Sequence, residues 1–554
     1  MSVWAILAAA GRGDRLGLDR PKAFAPLNDR PLVAEALERL DGDPRELAHH
    51  FSLSPQTRGA AKAVEYAQRA AAGASAQLAY EEAARLYEVA LHALEQSGTD
   101  GEQRCELLLA CGDAQTKAGE SIAARATFRD AADSARALGS AKLLAQAALG
   151  YGSAGQMAGG VVDETVVRLI EEALAAVGDS DPALRARLLA RLAMELSFSD
   201  QRERRAELSS EAVDIAREVG DTRGLGLALV ARHWSLWGPQ NVQERLAASN
   251  DLLALADRSG DERLAMQGHR WRMMDLLELG DMDAVDIEID AYMQIAARRR
   301  RLSDELYVHL YRAMRLMFAG EFEASEVEGT AAVRVGDRIQ DTNTGNATLL
   351  LSLMYRRERG RLDRLEGPVR AYAERFATIP GWRTVLAWLL AETGRPDEAR
   401  EILDSFAAND FRSLPLDGIW LGAVAYLAET AATLEDPTHA AALHELLEPY
   451  ADRNVAIGWA STCAGSASRH LGLLADLLGK RDEAVARLEF ALAMNERMRA
   501  RPWVVHAQVD LARVLAQVPA DRERAAELLD GALAEATELG MPRLIERVRT
   551  RAAV

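Results

Sequence analysis

Cysteine is scarce in this chain of 554 residues. Cys105, Cys111 and Cys463 are too few and too scattered to staple a fold of this length, and no cysteine–histidine spacing matches a zinc site. A reducing cytoplasm is therefore the expected compartment, and no metal is expected. Aromatic residues are also few, 10 Phe, 11 Tyr and 9 Trp, although hydrophobic residues reach 49%. The apolar content is thus mostly Ala, Leu and Val. With 16 Pro and no long low-complexity tract, the chain reads as mostly helical, because Ala and Leu lose little side-chain entropy in a helix. A β-sandwich, a collagen and a disordered tail are excluded. Basic charge is in deficit, 66 Lys+Arg against 84 Asp+Glu, for a net charge of −18. That balance argues against a nucleic-acid partner. Long apolar runs are missing too. The stretch Val3 to Ala10 has no basic segment before it and meets Arg12, Asp14 and Arg15 directly. It fails as a signal peptide and falls well short of the roughly 20 residues that span a bilayer, so no membrane partner is expected.

What is present falls into two parts. Residues 1 to 42 hold six basic and six acidic side chains, so the −18 belongs wholly to the rest of the chain. Val3-Trp4-Ala5-Ile6-Leu7 has the look of a short buried strand and opens into a glycine-rich loop, Gly11 to Gly17. A helix fits Pro31 to Leu40, with Pro at its first position and Leu32, Val33, Ala36, Leu37 and Leu40 on one face. Strand, loop and helix together form the opening of an α/β nucleotide site. From about Pro44 the pattern turns to helix after helix: Ala60 to Ala76, Ala79 to Gln96, Glu102 to Ala118 and Ala123 to Leu138. Breaks of a few residues between them are the loop length of antiparallel helix pairs. Two domains are expected, 1–42 and 43–554, the second bent or broken near Pro239 and near Pro380-Gly381.

A core recurs through the second part: a turn glycine, an alanine, a large residue four positions on, and a second alanine three later. Gly119, Ala124, Phe128 and Ala131 fit it, and so do Gly479, Ala484, Leu488 and Ala491. Small residues let two helices approach, and the large one fills the groove between them. The pattern resembles the tetratricopeptide repeat, whose period is about 34 residues. Leu108 and Gly112 fall where the first helix of such a unit carries its large and small residues. Leu279 to Ala284 and Ala319 to Ala324 keep the idea with one residue fewer. The expected fold is all-α, a tetratricopeptide-like α-solenoid with a short N-terminal strand–loop–helix fragment of α/β nucleotidyltransferase type.

Leu7-Ala-Ala-Ala-Gly-Arg-Gly-Asp-Arg-Leu-Gly17, then Pro21-Lys-Ala-Phe-Ala-Pro-Leu27 and Arg30-Pro-Leu32, resembles the opening of the 2-C-methyl-D-erythritol 4-phosphate cytidylyltransferases. The resemblance implies that Ala9, Ala10, Gly11 and Gly13 line the triphosphate of CTP, beside a divalent metal such as Mg. It also implies that Arg15 and Lys22 neutralise charge as pyrophosphate leaves. Ala8 stands where that family usually has Pro, and after Asp41 none of its later elements appears. About 42 residues supply one strand and one helix where a sheet domain takes roughly 100 to 250. No cofactor is therefore expected for the chain, and cytidylyl transfer is the alternative. The junction near Gly42-Asp43-Pro44 is read either as a fusion or as a join in the gene model.

The stretches Arg45 to Phe51, Ala60 to Arg69, Ala76 to Tyr87, Ile457 to Trp459 and Glu489 to Glu496 look like the repeat arm of large bacterial ATPase regulators of the LuxR type. This resemblance implies a sensor or scaffold arm that takes a protein or small ligand on the concave face of the solenoid. No phosphate loop accompanies it: Gly472 to Lys480 has the wrong spacing and is followed by Arg481. ATP hydrolysis and DNA binding are not expected. Four smaller features complete the reading. His49-His50 point about 100° apart on a helix, one packing and one exposed. His444-Glu-Leu-Leu-Glu448 has Glu where a zinc-protease helix needs its second His. Arg298 to Arg301 suit a helix C-terminus, where cations complement the dipole. Trp234, Trp237 and Trp271 form either core packing or an apolar groove.

Overall fold

The computed structural model describes residues 26–27, 30–31, 44–52, 57–97, 101–154, 162–339, 344–458 and 460–552. The helices expected near the start of the repeat region are present as Thr57–Ala76, Tyr80–Ser97, Gly101–Ala118 and Ser121–Leu138. Further on, helix follows helix to Pro542–Ala552, and most pack on a neighbour in sequence within their unit. Two-residue turns join many of them, which forces neighbours to run antiparallel. The fold is all-α and tetratricopeptide-like. Among the described residues the exceptions are two small hairpins. In one of them Pro26–Leu27 pairs with Arg30–Pro31, so Pro31 lies in a strand rather than at the first position of a helix. The chain divides into two compact units, and Pro239 and Pro380 both lie inside the second.

The first unit holds most of Met1–Leu196 and part of the following helix pair. Its packing follows the wedge that the repeat pattern implies. Phe128 is 4% exposed, between Ala124 and Ala131, both at 0%. A Cβ added to Gly112 would meet the Phe128 ring at 2.8 Å, and one added to Gly150 would meet it at 2.2 Å. Only glycine on both flanking helices therefore lets the ring enter. Burying such a side chain contributes about 1.5–3 kcal/mol. Gly119, which ends the preceding helix, has φ +85°. Asp163 caps the helix Glu164–Val177 by accepting from the Thr165 and Val166 amides, and it pairs with Arg125.

The second unit contains the other good copy of the motif. Gly479 turns the chain at φ +70°, Ala484, Leu488 and Ala491 are each 0% exposed, and a Cβ on Gly472 would lie 2.6 Å from Leu488. Its central helices correct two expectations. Val242–Ser259, Glu262–Leu279, Met282–Arg299, Leu302–Ala319 and Phe322–Ile339 begin twenty residues apart, so a helix pair recurs every forty residues and not every 34. Each is 18 residues long, five full turns and about 27 Å. The buried position after each turn glycine is also the fifth, as in the good copies: Val285 after Gly280 at 0%, Ser325 after Gly320 at 4%. Ala284 is half-buried and Ala324 exposed. The spacing is thus unchanged in the degenerate copies, and a different residue occupies the packed position.

Long-range contacts close this unit on itself. A second hairpin, Asn454–Ile457 with Thr462–Ser466, stands where the repeat reading expected helix. Both strands are almost wholly buried. Asn454 Nδ2 donates to Leu277 O at 3.1 Å, and Asn495 Oδ1 accepts from the Ser466 amide at 3.3 Å. Arg499 bonds Asp283 at 2.8 Å, and Arg359 donates to Gly540 O at 2.8 Å. Phe322 shares an apolar cluster with Val505, Val509, Leu539, Leu544 and Val548. One side of the helices between 262 and 359 is thus covered by the unit's own residues.

Candidate binding cleft

An open cleft of about 830 Å³ lies in the second unit where the start of the helix Arg202–Val219 meets the end of Thr222–Ser235. Its wall begins with a turn. The helix stops at Ser235, Trp237 N donates to Trp234 O at 3.2 Å, and Gly238 N donates to Leu236 O at 2.7 Å. Gly238 is extended and Pro239 opens a short 3-10 segment, which suits a residue whose φ is already set. The turn brings Trp237 back toward its neighbours, with ring centroids 5.0 Å from Trp234 and 5.8 Å from Trp271, both edge-on. Trp271 is fully buried, whereas Trp237 is half-buried and lines the cleft. The cluster is therefore core at one end and groove wall at the other. Across the Trp237 ring lies the backbone of Gly418, where a Cβ would fall 2.0 Å from the indole. Only glycine permits that contact.

The cleft is polar and of mixed sign. Arg202, Arg204 and Arg232 bring guanidinium groups, while Asp200, Glu203 and Glu244 bring carboxylates. Arg232 donates to Ala206 O at 2.8 Å and to Glu244 at 3.2 Å. Beneath the cleft Arg205 is buried and donates to Ser197 O at 2.5 Å. Burial, followed by the repulsion of Arg202, holds its guanidinium below the ordinary range. Burial also pushes the nearby Asp417 carboxyl up to about 6, against the pull of the Ile419 amide and Arg205. Ser235 Oγ, which lines this cleft, is buried and has no hydrogen-bond partner. The arrangement can recognise a ligand through charge and an aromatic wall.

Behind the tryptophans a buried ionic chain fixes the wall. His233 Nε2 lies 3.0 Å from Asp275, Arg245 lies 2.9 Å from Asp275 and 2.5 Å from Glu278, and the His233 ring stacks on Trp271 at 4.0 Å. Burial pushes His233 below the usual imidazole range despite Asp275. A second buried cluster centres on Glu429. Arg469 contacts Glu429 at 2.6 Å and Asp510 at 2.8 Å, and Arg357 contacts Glu429 at 3.0 Å between the rings of Trp388 and Trp503. Burial opposes the charge on Glu429, but Arg357 and Arg469 prevail and hold its carboxyl well below the usual carboxylate range. His470 and His506 are pushed down by burial, against the pull of Glu429 and Glu358. This cluster is buried and ties together helices that are distant in sequence.

The residues singled out from sequence are placed unevenly. Ala9, Ala10, Gly11, Gly13, Arg15 and Lys22 lie outside the described residues, as do the His49 and His50 side chains. The repeat-core residues pack as described and form no part of the cleft. The arginine run is divided: Arg298 and Arg299 end a helix, Arg300 is its left-handed cap, and Arg301 precedes the next helix. Sequence reasoning found the tryptophans but missed Glu429, Arg357 and Arg469. The signal was a lone charge in the otherwise uncharged helix Trp420–Thr433. The cysteines are all free and buried, and among the described residues no helix is long and apolar enough to cross a membrane.

No protein-family model matches the chain, and no curated protein matches it in sequence. Among solved structures it is similar to the APC/C hetero-tetramer Cut9–Hcn1, at 13% identity over 86% of this chain and 87% of that one, with a TM-score of 0.44. It is similar to yeast Tom70 at 13% identity over 84% and 99% of the two chains, with a TM-score of 0.34. A Rap protein complexed with competence and sporulation factor is 12% identical over 86% and 98%, with a TM-score of 0.27. Likeness at this level extends to no function.

Proposed function

We propose that the chain is a helical-repeat protein-interaction module that takes a segment of a partner protein in the cleft beside Trp237. The observation that carries this reading is the cleft itself: about 830 Å³, open, with a half-buried indole and side chains of both charge signs. Interface anchors are enriched in tryptophan and arginine, and charges at a rim select partners of complementary pattern. An enclosed apolar pocket would favour a small molecule instead. In the finer reading, the module is the sensor arm of a bacterial signalling or transcription regulator, as the resemblance of the repeat region implies.

Peptides selected from a random library against the full chain test the proposal. Trp237→Ala should weaken selected peptides about 30-fold, the loss of one anchor of about 2 kcal/mol. Gly418→Ala should weaken them too, because its Cβ displaces the indole. Arg202→Glu and Glu244→Arg, both at exposed positions, should slow association and alter its salt dependence. Peptides that bind all four variants as they bind the parent chain would place recognition elsewhere.

A further inference from the structure

We propose that His444, Glu448 and Glu483 form a binding site for a first-row divalent cation of the zinc type, bridging the segment that begins with the helix Ala440–Leu447 to the helix Arg481–Arg497. His444 and Glu448 are four residues apart, so a helical path stacks them on one face. Glu483 comes from the first turn of the second helix. One ligand atom from each side chain lies within 4.8 Å of the others.

A second observation concerns the imidazole. His444 is only 8% exposed. Its Nε2 is buried and makes no hydrogen bond, although it lies 2.9 Å from Glu483 Oε1 and 3.9 Å from Glu448 Oε2. A buried ring nitrogen aimed at two carboxylates without hydrogen-bond alignment is arranged for a particle that all three can share. The outer oxygens support the same arrangement. Glu448 Oε1 is held by Arg487, and Glu483 Oε2 lies 3.4 Å from Lys480 Nζ. Each carboxylate thus turns one oxygen to a cationic side chain and the other to the imidazole, an outer shell that orients ligands.

One nitrogen and two carboxylate oxygens suit zinc, cobalt or manganese. Calcium takes six to eight oxygens and has no use for the imidazole. Three protein ligands leave further positions for water. The alternative is a metal-free ion pair between an imidazolium and Glu483, stabilised further by Lys480 and Arg487.

Calorimetric titration of the chelator-treated full chain with zinc chloride separates the two, with the visible spectrum of cobalt as a second readout. One saturable site is expected, absent in His444→Ala and weakened at least tenfold in Glu483→Gln. Zinc should raise the melting temperature of the parent chain and not of Glu483→Gln. If His444→Ala does not fold, Glu483→Gln, at a partly exposed position, carries the test. Absence of zinc binding by the parent chain, or binding of unchanged affinity in Glu483→Gln, overturns the proposal.

Discussion

The two units are built from similar helices yet hold their interiors together differently. Among the described residues of the first, the buried polar side chains are Gln115 and Glu195, and the core is alanine and leucine wedged by Phe128. The second buries Arg245, Asp275, Glu278, Arg357, Glu358, Glu429, Arg469 and Asp510. The first relies on contacts between neighbouring helices. The second joins helices more than a hundred residues apart, as in the His506–Glu358 pair at 3.0 Å. Apolar wedges suffice where partners are adjacent in sequence. Distant helices of the second unit meet through paired charges as well as the apolar cluster at Phe322, and the charges stabilise only the correct alignment, since a buried charge without its partner is costly.

The largest effect should come from breaking one element of each kind. Glu429→Ala leaves Arg357 and Arg469 facing each other in the core and should cost about 3–5 kcal/mol. Phe128→Ala opens a cavity between Gly112 and Gly150 and should cost about as much, about 3–5 kcal/mol. Urea unfolding measures both. Only the Glu429 loss should shrink at low pH, where the parent's carboxylate network is itself neutralised.

Acidification sharpens the contrast at intermediate size. His233, His470 and His506 have folded-state pKa values below the ordinary 6.5. The unfolded chain therefore binds protons that the folded chain refuses. Their contribution is complete above that value and is lost as pH falls below it. Asp417, pushed up to about 6, has the opposite sign: its contribution is present below the unfolded value of about 3.9 and lost as pH rises through about 6. With three imidazoles against one carboxyl, melting of the second unit should shift down by several degrees between pH 7.5 and 5. Asp417→Asn should stabilise by about 1–2 kcal/mol at pH 7.5 and about half as much at pH 5. A melting profile that does not move with pH would remove the buried imidazoles from the account.

The smallest effect should come from the surface. Arg136 pairs with Glu172 at 2.7 Å, but both are about 40% exposed. Arg136→Ala should cost at most about 1 kcal/mol, less in high salt.

Most helices were legible from periodicity, because a helix that buries one stripe must repeat its apolar residues every 3.6 positions. The wedge at Phe128 was legible for the same reason, and Gly112 with it. Gly150 was not, because it lies on the following helix, and only the packed structure brings that helix against the ring. The hairpin at 454–466 was missed because its two strands gain their stability from Leu277 and Asn495, which are far away in sequence. Of the cleft, the three tryptophans were visible. Gly418 was not, because nothing local distinguishes a glycine needed for a close approach from one that ends a turn.

By itself the sequence determined the helical class, the antiparallel pairing through short turns, the left-handed glycines at helix ends and the concentration of negative charge after residue 42. These follow from backbone sterics and from apolar spacing along a few turns, which each segment carries within itself. Only the tertiary structure decided the closure of the second unit, and the meeting of Trp237 with Gly418 and of His444 with Glu483. Such contacts depend on which distant faces come together, and their stabilisation exists only after the intervening chain has folded.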